Sequence, residues 1–388
     1  MVLIKKRIIA VRSHYPDIRL EKEVLSLSKD YDVTIVGWNR GRLKTTISQN
    51  NKNILFSINV EPGSIKVPFL LPYWWIFIFF NLLFRKFDAI HAVDFDSYIP
   101  ALLISKIKRK PIVYDIYDFY GETIDFPILK KLCRKFFTKT DKFFMKFADT
   151  IIIVDDARIE QIGDNYHTVI SIYNSPIITY ASKQEKMRSI NDEFIIFFGG
   201  ILLEDRAIDQ VITVVKELND KMIKLILMGY PGSLKYGEKL EEMCHNIANI
   251  QLNLKMVPHE LILQYTAKAD VIFILYDPKI PNNRYASPNK LFESMCFSKP
   301  VIVNDYSSMT KIIRDEKCGI IIPFGNLEEL RKAILFLKNN PEQCKRMGLN
   351  GNLAYIKKYS WTIMEKRLLS IYRDILYDTY PDQQIRMN

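Results

Sequence analysis

Residues 194–218 read FIIFFGGILLEDRAIDQVITVVKEL, and the fold is decided here. Phe194–Leu202 is a nearly continuous apolar run, as expected of a strand buried on both faces of a parallel sheet. Gly199-Gly200 interrupts the run, and Ala207–Leu218 then repeats apolar residues at helical spacing. Strand, glycine turn and helix in this order form one unit of an alternating α/β domain. Such a turn lets backbone N–H groups approach a phosphate, and Arg206 at the start of the helix could pair with a diphosphate. A tight turn without a ligand reads the same.

Downstream the rhythm repeats. Strands are predicted at Lys224–Gly229, Ile250–Leu254, Asp270–Tyr276, Pro300–Asn304 and Gly319–Pro323, with helices near Lys239–Ile247, Pro288–Phe297 and Leu327–Lys338. Two helical segments, Glu342–Tyr359 and Trp361–Tyr377, close the chain. Upstream, the polar stretch Ser175–Glu193 lacks an apolar period and reads as a linker. Before it, strands are predicted at Arg7–Arg12, Asp32–Trp38, Ile54–Asn59, Ala89–Asp94, Pro111–Tyr117, Thr150–Asp155 and Thr168–Asn174, with helices such as Asp17–Ser28 and Ser97–Ile107 between them. The expected class is α/β, with two Rossmann-like doubly wound domains facing a cleft at residues 1–178 and 190–360. A C-terminal helix at about 361–380 is placed to pack back on the first.

Composition narrows the classes. Apolar residues make 48% and charged residues 26% of 388, which excludes a disordered or fibrous chain. Met1 to Lys6 has no signal-peptide pattern, and no run reaches the roughly 20 apolar residues of a spanning helix. The five cysteines are scattered without a CxxC pair and read as reduced cytosolic thiols. Charge is uneven: residues 1–190 hold 29 Lys+Arg against 20 Asp+Glu, residues 191–388 hold 26 against 24. That asymmetry points to an acidic partner, nucleic acid or an anionic membrane.

The densest constellation is Asn282-Asn283-Arg284-Tyr285-Ala286-Ser287-Pro288-Asn289-Lys290-Leu291-Phe292-Glu293. It follows a buried strand and opens a helix, with Ser287 expected as N-cap and Pro288 in the first turn. Lys290 and Glu293 share one helix face. A Lys at a helix N-terminus opposes the macrodipole, a conflict an anionic ligand resolves; a surface Lys–Glu pair fits the spacing equally.

Ser287-Pro288-Asn289-Lys290-Leu291-Phe292-Glu293, followed by Lys299-Pro300-Val301-Ile302, resembles the donor-binding segment of family 4-type retaining glycosyltransferases of the GT-B fold (glycosyl transferases group 1). Other pieces resemble that family in the same order. They are Asp17-Ile18-Arg19 with Lys22-Glu23, Ala89-Ile90-His91-Ala92-Val93-Asp94, Phe197-Phe198-Gly199-Gly200 with Arg206, and Gly319-Ile320-Ile321-Ile322-Pro323. The resemblance implies transfer of a sugar from a nucleotide diphosphate donor, with retention. Glu293 would hold the ribose hydroxyls, and Arg206 and Lys290 would neutralise the diphosphate beside Gly199 and Gly200. The backbone at Met256-Val257 would meet the base, and Ser287 and Asn289 would line the donor. His91 and Asp94 would face acceptor or sugar, with Asp115, Asp118 and Arg19 on the acceptor side. The family works without a bound metal, so neither metal nor cofactor is expected. Eight residues before Glu293, where the family carries an acid, stands Tyr285; Tyr285, Asn282 or Asn283 is expected to serve the donor sugar. Gly200 stands where the family's loop has Arg. Asp94-Phe95-Asp96, a DxD, reads as coincidental in a two-Rossmann pattern.

Two segments suggest surfaces. Residues 69–84, FLLPYWWIFIFFNLLF, hold eight aromatics in sixteen positions, followed by Arg85 and Lys86. This run is expected either as a buried helix or as a shallow membrane insertion through Trp74, Trp75 and Phe77. Ile128–Phe147 is amphipathic, with Lys131, Arg134 and Lys135 on its basic arc; it packs on its own sheet, sits on anionic lipid, or both. The leading expectation is a glycosyltransferase of hexosyl or N-acetylhexosaminyl units. It would be cytoplasmic and peripheral at the inner face of the cell membrane, using a UDP- or GDP-sugar and a lipid-linked glycan or polysaccharide acceptor. Nucleic acid is not an expected partner. The competing readings are a nucleotide-sugar epimerase of the same plan and a basic nucleic-acid- or membrane-binding protein without catalysis.

Overall fold

Short apolar runs separated by amphipathic stretches become parallel strands covered by helices. The computed structural model describes residues 5–41, 52–60, 66–119, 121, 130–163, 165–177 and 193–378, and the structural statements below concern these. Two compact units form, Met1–Ile172 with Glu365–Asn388, and Tyr173–Met364.

The first unit runs β1 (Arg7–Tyr15), α1 (Ile18–Leu27), β2 (Asp32–Asn39), β3 (Lys52–Ser57), α2 (Lys66–Leu83), β4 (Ala89–Val93), α3 (Phe95–Lys108), β5 (Ile112–Ile116), α4 (Lys130–Met145), β6 (Thr150–Ile153), α5 (Arg158–Ile162) and β7 (Val169–Ser171). Its parallel sheet has the order β3-β2-β1-β4-β5-β6-β7, so the chain reverses direction between β1 and β4. Successive side chains of a strand point to opposite faces. Ile9, Val11, Ile90, Ala92, Ile112 and Tyr114 therefore join a core under α2, α3 and α4. Ile8, Ala10, His91 and Asp115 face the other way, toward α1.

The second unit runs β8 (Phe194–Gly199), α6 (Ile208–Leu218), β9 (Ile223–Met228), α7 (Leu234–Cys244), β10 (Ile250–Asn253), α8 (His259–Lys268), β11 (Val271–Ile274), α9 (Pro281–Arg284), α10 (Asn289–Cys296), β12 (Val301–Asn304), α11 (Ser308–Glu316), β13 (Gly319–Ile322), α12 (Leu327–Asn339) and α13 (Pro341–Ala354). Its sheet order, β10-β9-β8-β11-β12-β13, repeats the same reversal between β8 and β11. The closing helix α14 (Trp361–Arg373) returns the chain to the first unit, where Leu368, Ile371 and Tyr372 are buried.

Three expectations change. Helix α7 begins earlier than periodicity suggests, because the Ser233 side chain accepts from the Tyr236 N–H and caps it there. Ser287 does not cap α10; Pro288 takes the N-cap position and no side chain closes that end. Helix α2 starts at Lys66, ahead of the aromatic run. Its 18 residues make it long and apolar enough, by length and composition, to cross a membrane. Yet it is packed on the sheet. Trp74, Ile78 and Leu82, four residues apart, lie in the core. Trp74 is fully buried, 6.0 Å from the Trp38 ring and 5.9 Å from Phe56, so its expected membrane-facing role is overturned. Trp75 donates its indole N–H to Asp96 O at 2.8 Å, and the Phe77 ring packs on Phe56 at 5.3 Å; both are half-buried fasteners, not an outward edge. Arg134 is half-buried and Lys135 exposed, whereas the Lys131 side chain lies outside the described residues.

Candidate active site

The carboxyl ends of the second sheet gather the donor-side candidates. Gly199 ends β8, and Gly200 follows at φ +129°, its N–H donating to Met228 O at 2.8 Å. A Cβ at Gly200 would stand 3.0 Å from Lys290 Nζ, so the glycine admits the ammonium directly over the turn. Lys290 also lies over the Phe198 ring, 4.6 Å from its centroid. The N-terminus of α10 has no side-chain cap, and Ser287 Oγ is buried there without a hydrogen-bond partner. A cation, uncapped N–H groups and an unspent hydroxyl thus surround the place where a phosphate would sit.

Arg206 is fixed from three sides. Its guanidinium stacks on Tyr276 at 3.6 Å from the ring centroid, donates to Asn283 Oδ1 at 2.9 Å and lies 3.6 Å from Asp205. Asn283 is buried and spends its amide on this tether, donating to Asp205 Oδ2 at 2.8 Å and Asp277 O at 3.1 Å. Of Tyr285, Asn282 and Asn283, the candidates for the donor sugar, Asn283 has its oxygen taken by Arg206 and its nitrogen by Asp205 and the Asp277 carbonyl. Tyr285 and Asn289 are half-buried, and Met256 and Val257 sit between β10 and α8 with Met256 exposed.

Glu293 is buried on α10, and its Oε1 lies 2.8 Å from His259 Nε2 at the start of α8. One carboxylate oxygen is thereby occupied and the rotamer held, which leaves Oε2 to accept from a ligand hydroxyl. Sequence reasoning missed His259; its only signal was an exposed-helix start, Pro258-His259, 34 residues away.

The first unit places its candidates differently. His91 and Asp115 are fully buried and Arg19 nearly so. Arg19 Nε donates to Glu23 Oε1 at 2.8 Å, and its Nη2 lies 3.4 Å from Asp115. His91 Nε2 lies 3.4 Å from Glu23 and 3.5 Å from Asp115, while Nδ1 meets the Tyr372 hydroxyl of α14 at 2.8 Å. Tyr117 donates to Glu23 Oε2 at 2.9 Å. Burial alone would lower His91, but the two carboxylates override it and hold its pKa up at about 9. Burial pushes Glu23 up, yet Arg19 and His91 outweigh it and bring it down to about 2. For Asp115 burial wins, and its pKa rises to about 6. Two cations thus face two carboxylates inside the fold. The expected acceptor or sugar contacts of His91, Asp115 and Arg19 are overturned: strand alternation turns His91 and Asp115 inward toward α1, and Arg19, on α1, is spent on Glu23 and Asp115. Glu23, His91 and Asp115 each offer a ligand atom within 4.8 Å of the others, a spacing that could hold a metal ion, and here Arg19 and His91 together supply the two positive charges facing the two acids.

Asp94 remains at the reversal between β1 and β4. Its side chain is ion-paired with Arg12 and accepts from Tyr117 N at 2.9 Å and Asp118 N at 3.3 Å. Its φ of +59° with ψ 162° is a strained conformation for a non-glycine residue, held by these contacts. Asp118 is exposed and pairs with Arg158 at 3.3 Å.

Residues 181–353 match the family described as glycosyl transferases group 1. The chain is 23% identical over 381 residues to an uncharacterized glycosyltransferase of Methanocaldococcus jannaschii, covering 91% of this chain and 92% of that one. It is 23% identical over 194 residues to the capsular polysaccharide biosynthesis glycosyltransferase CapM of Staphylococcus aureus, covering 49% of this chain and about half, 48%, of CapM. The structure of Anabaena HepE in complex with UDP and glucose aligns with a TM-score of 0.72 at 15% identity, covering 95% of this chain and all of that one. The two parallel sheets and this likeness are those of the GT-B fold.

Proposed function

We propose that this chain, a GT-B glycosyltransferase of group 1, moves a hexosyl or N-acetylhexosaminyl unit from a UDP- or GDP-sugar to a lipid-linked glycan or polysaccharide precursor, with retention at the anomeric carbon. The observation that carries the donor half is Lys290 standing over Gly200 at the uncapped N-terminus of α10. Sugar transfer breaks the bond between the anomeric carbon and the β-phosphate oxygen, and negative charge grows on that phosphate. A preorganised cation and fixed N–H dipoles stabilise this charge without reorganising at the moment of reaction. Arg206 adds a second cation, whose position Asn283 and Tyr276 fix in advance. Glu293, steadied by His259, accepts from the ribose hydroxyls. The acceptor hydroxyl forms the new bond on the face the phosphate leaves, and its proton passes to the departing phosphate oxygen. Among His91, Asp94 and Asp115, Asp94 alone keeps side-chain exposure, 15%, which makes it the first-unit candidate to meet the acceptor.

CapM supports a polysaccharide setting and HepE a uridine diphosphate donor. The test is a screen of the purified chain against UDP- and GDP-sugars, following nucleoside diphosphate release with and without polyprenyl-diphosphate glycans. One donor is expected to be hydrolysed slowly alone and consumed faster with acceptor. Release from none of them overturns the reading. Conversion of donor to an epimer without nucleotide release assigns the chain to the epimerase alternative.

A further inference from the structure

Helices α2, α3 and α4 form one layer on the first sheet. Helix α3 lies between the others: Trp75 of α2 donates to Asp96 O, the Phe95 ring meets Phe137 of α4 at 6.1 Å, and Tyr98 donates to Phe144 O at 2.9 Å. The inner side of this layer is core. The outer side is also apolar. Phe69, Tyr73, Ile76, Phe80 and Phe84 form an exposed row along α2 and its end, from 52% to 79% accessible. Leu103 and Ile107 are exposed on α3, as are Leu132, Phe136 and Phe143 on α4 and Phe147 just past its end.

Cations border this surface. Arg85 and Lys86 follow α2, and Lys106, Arg109 and Lys110 surround the end of α3. Lys108 joins the two groups by donating to Arg85 O at 2.6 Å. Lys135 and Lys139 stand exposed on α4, and Lys146 just past its end. Among the described residues the acids within these three helices are Asp96 and Asp141, both buried, while Asp88 lies 3.8 Å from Lys110 at the border. A water-facing helix layer of a globular domain alternates signs and hides large apolar side chains. Aromatic rows flanked by lysine and arginine instead match the boundary between acyl chains and anionic headgroups.

We infer that the outer face of α2, α3 and α4 docks on an anionic lipid bilayer, with the row from Phe69 to Phe84 entering the interface and the cations of α3 and α4 resting on headgroups. Helix α2 lies in the membrane plane and does not span it, because Trp74, Ile78 and Leu82 are committed to the core. The proposal deepens the lipid-linked acceptor reading by naming the surface that would bring the enzyme to such an acceptor, yet it stands or falls on binding alone.

The test uses the full chain and sedimentation with vesicles. Vesicles of phosphatidylcholine containing about one third phosphatidylglycerol should bind it, and pure phosphatidylcholine should bind it at least about tenfold more weakly. Phe69→Ser, Phe80→Ser and Phe84→Ser together should lower partitioning about tenfold or more and leave thermal unfolding and donor hydrolysis unchanged. Lys106→Glu, Arg109→Glu and Lys135→Glu should weaken binding and flatten its salt dependence. If the triple serine variant misfolds, Tyr73→Trp decides the matter. Its emission should shift to the blue with anionic vesicles and be quenched by lipids brominated in the acyl chain. Wild-type chain that ignores anionic vesicles, a Tyr73→Trp chain whose emission does not change, self-association that covers the face, or binding only to single- or double-stranded nucleic acid would each overturn the proposal. Vesicle binding without any nucleotide release would retain this inference and remove the catalytic one.

Discussion

Helices α2 and α6 do the same work inward and opposite work outward. Each covers a parallel sheet, α6 through Ile208, Val211, Ile212 and Val215 and α2 through Trp74, Ile78 and Leu82. The outer side of α6 is polar: Asp209 pairs with Lys239 at 2.9 Å, and Glu217 pairs with Arg331. The outer side of α2 and its end shows five large apolar residues. A helix therefore carries two separable messages, one for its own core and one for whatever lies outside. The contrast extends to the two units. The second carries Lys290, Arg206 and the uncapped start of α10, and the first carries the basic, aromatic exterior.

If that division holds, changes in one unit leave the other's task intact. The largest expected effect is Glu293→Ala, which should cut sugar transfer by at least about 100-fold while vesicle binding stays at the wild-type level. A parallel loss of vesicle binding would break the comparison. His259→Ala is next: removing the partner of Glu293 Oε1 should raise the donor KM by about five- to twentyfold with a smaller change in kcat. His259→Gln should restore most of the loss, because an amide can still donate; no rescue would show that His259 acts otherwise.

The smallest effect concerns α4, the helix that belongs to both messages. Asp141 accepts from the Tyr114 hydroxyl at 2.9 Å, its Oδ2 has no hydrogen-bond partner, and burial raises its pKa to about 7. A folded-state pKa above the unfolded value means stability complete below about pH 4 and lost as pH rises through about 7. Asp141→Asn stays neutral, so its urea midpoint should lie above that of wild type at pH 8 and match it near pH 4. A constant offset across that range would show that the wild-type carboxylate titrates normally.

Much of the fold was legible because parallel strands are buried on both faces and read as continuous apolar runs. Phe194–Gly199 and Ile112–Ile116 need no partner to be recognised. The candidate site on α10 reads from sequence for a related reason: Ser287 to Glu293 are consecutive, so the polar groups and the helix start share one window. What failed was whatever depends on facing. An all-apolar helix has no phase, so Trp74 and Tyr73 could not be sorted into inside and outside. His91 was placed on the right strand but on the wrong side of its purpose, because its partners Glu23 and Tyr372 lie 68 and 281 residues away. Asn283 reads as a sugar contact until Arg206, 77 residues earlier, is seen to occupy it.

The return of α14 to the first unit also sets an order of events during synthesis. Residues 173–364 form one unit from a single continuous segment, whereas the first unit needs residues from both sides of that segment. On the ribosome, the seven-stranded sheet emerges early, but the face carrying His91 lacks Leu368, Ile371 and Tyr372 until the second unit has been made. The part translated first is thus the part finished last, and a nascent chain of this protein must hold an uncovered sheet with a charged interior until its closing helix arrives.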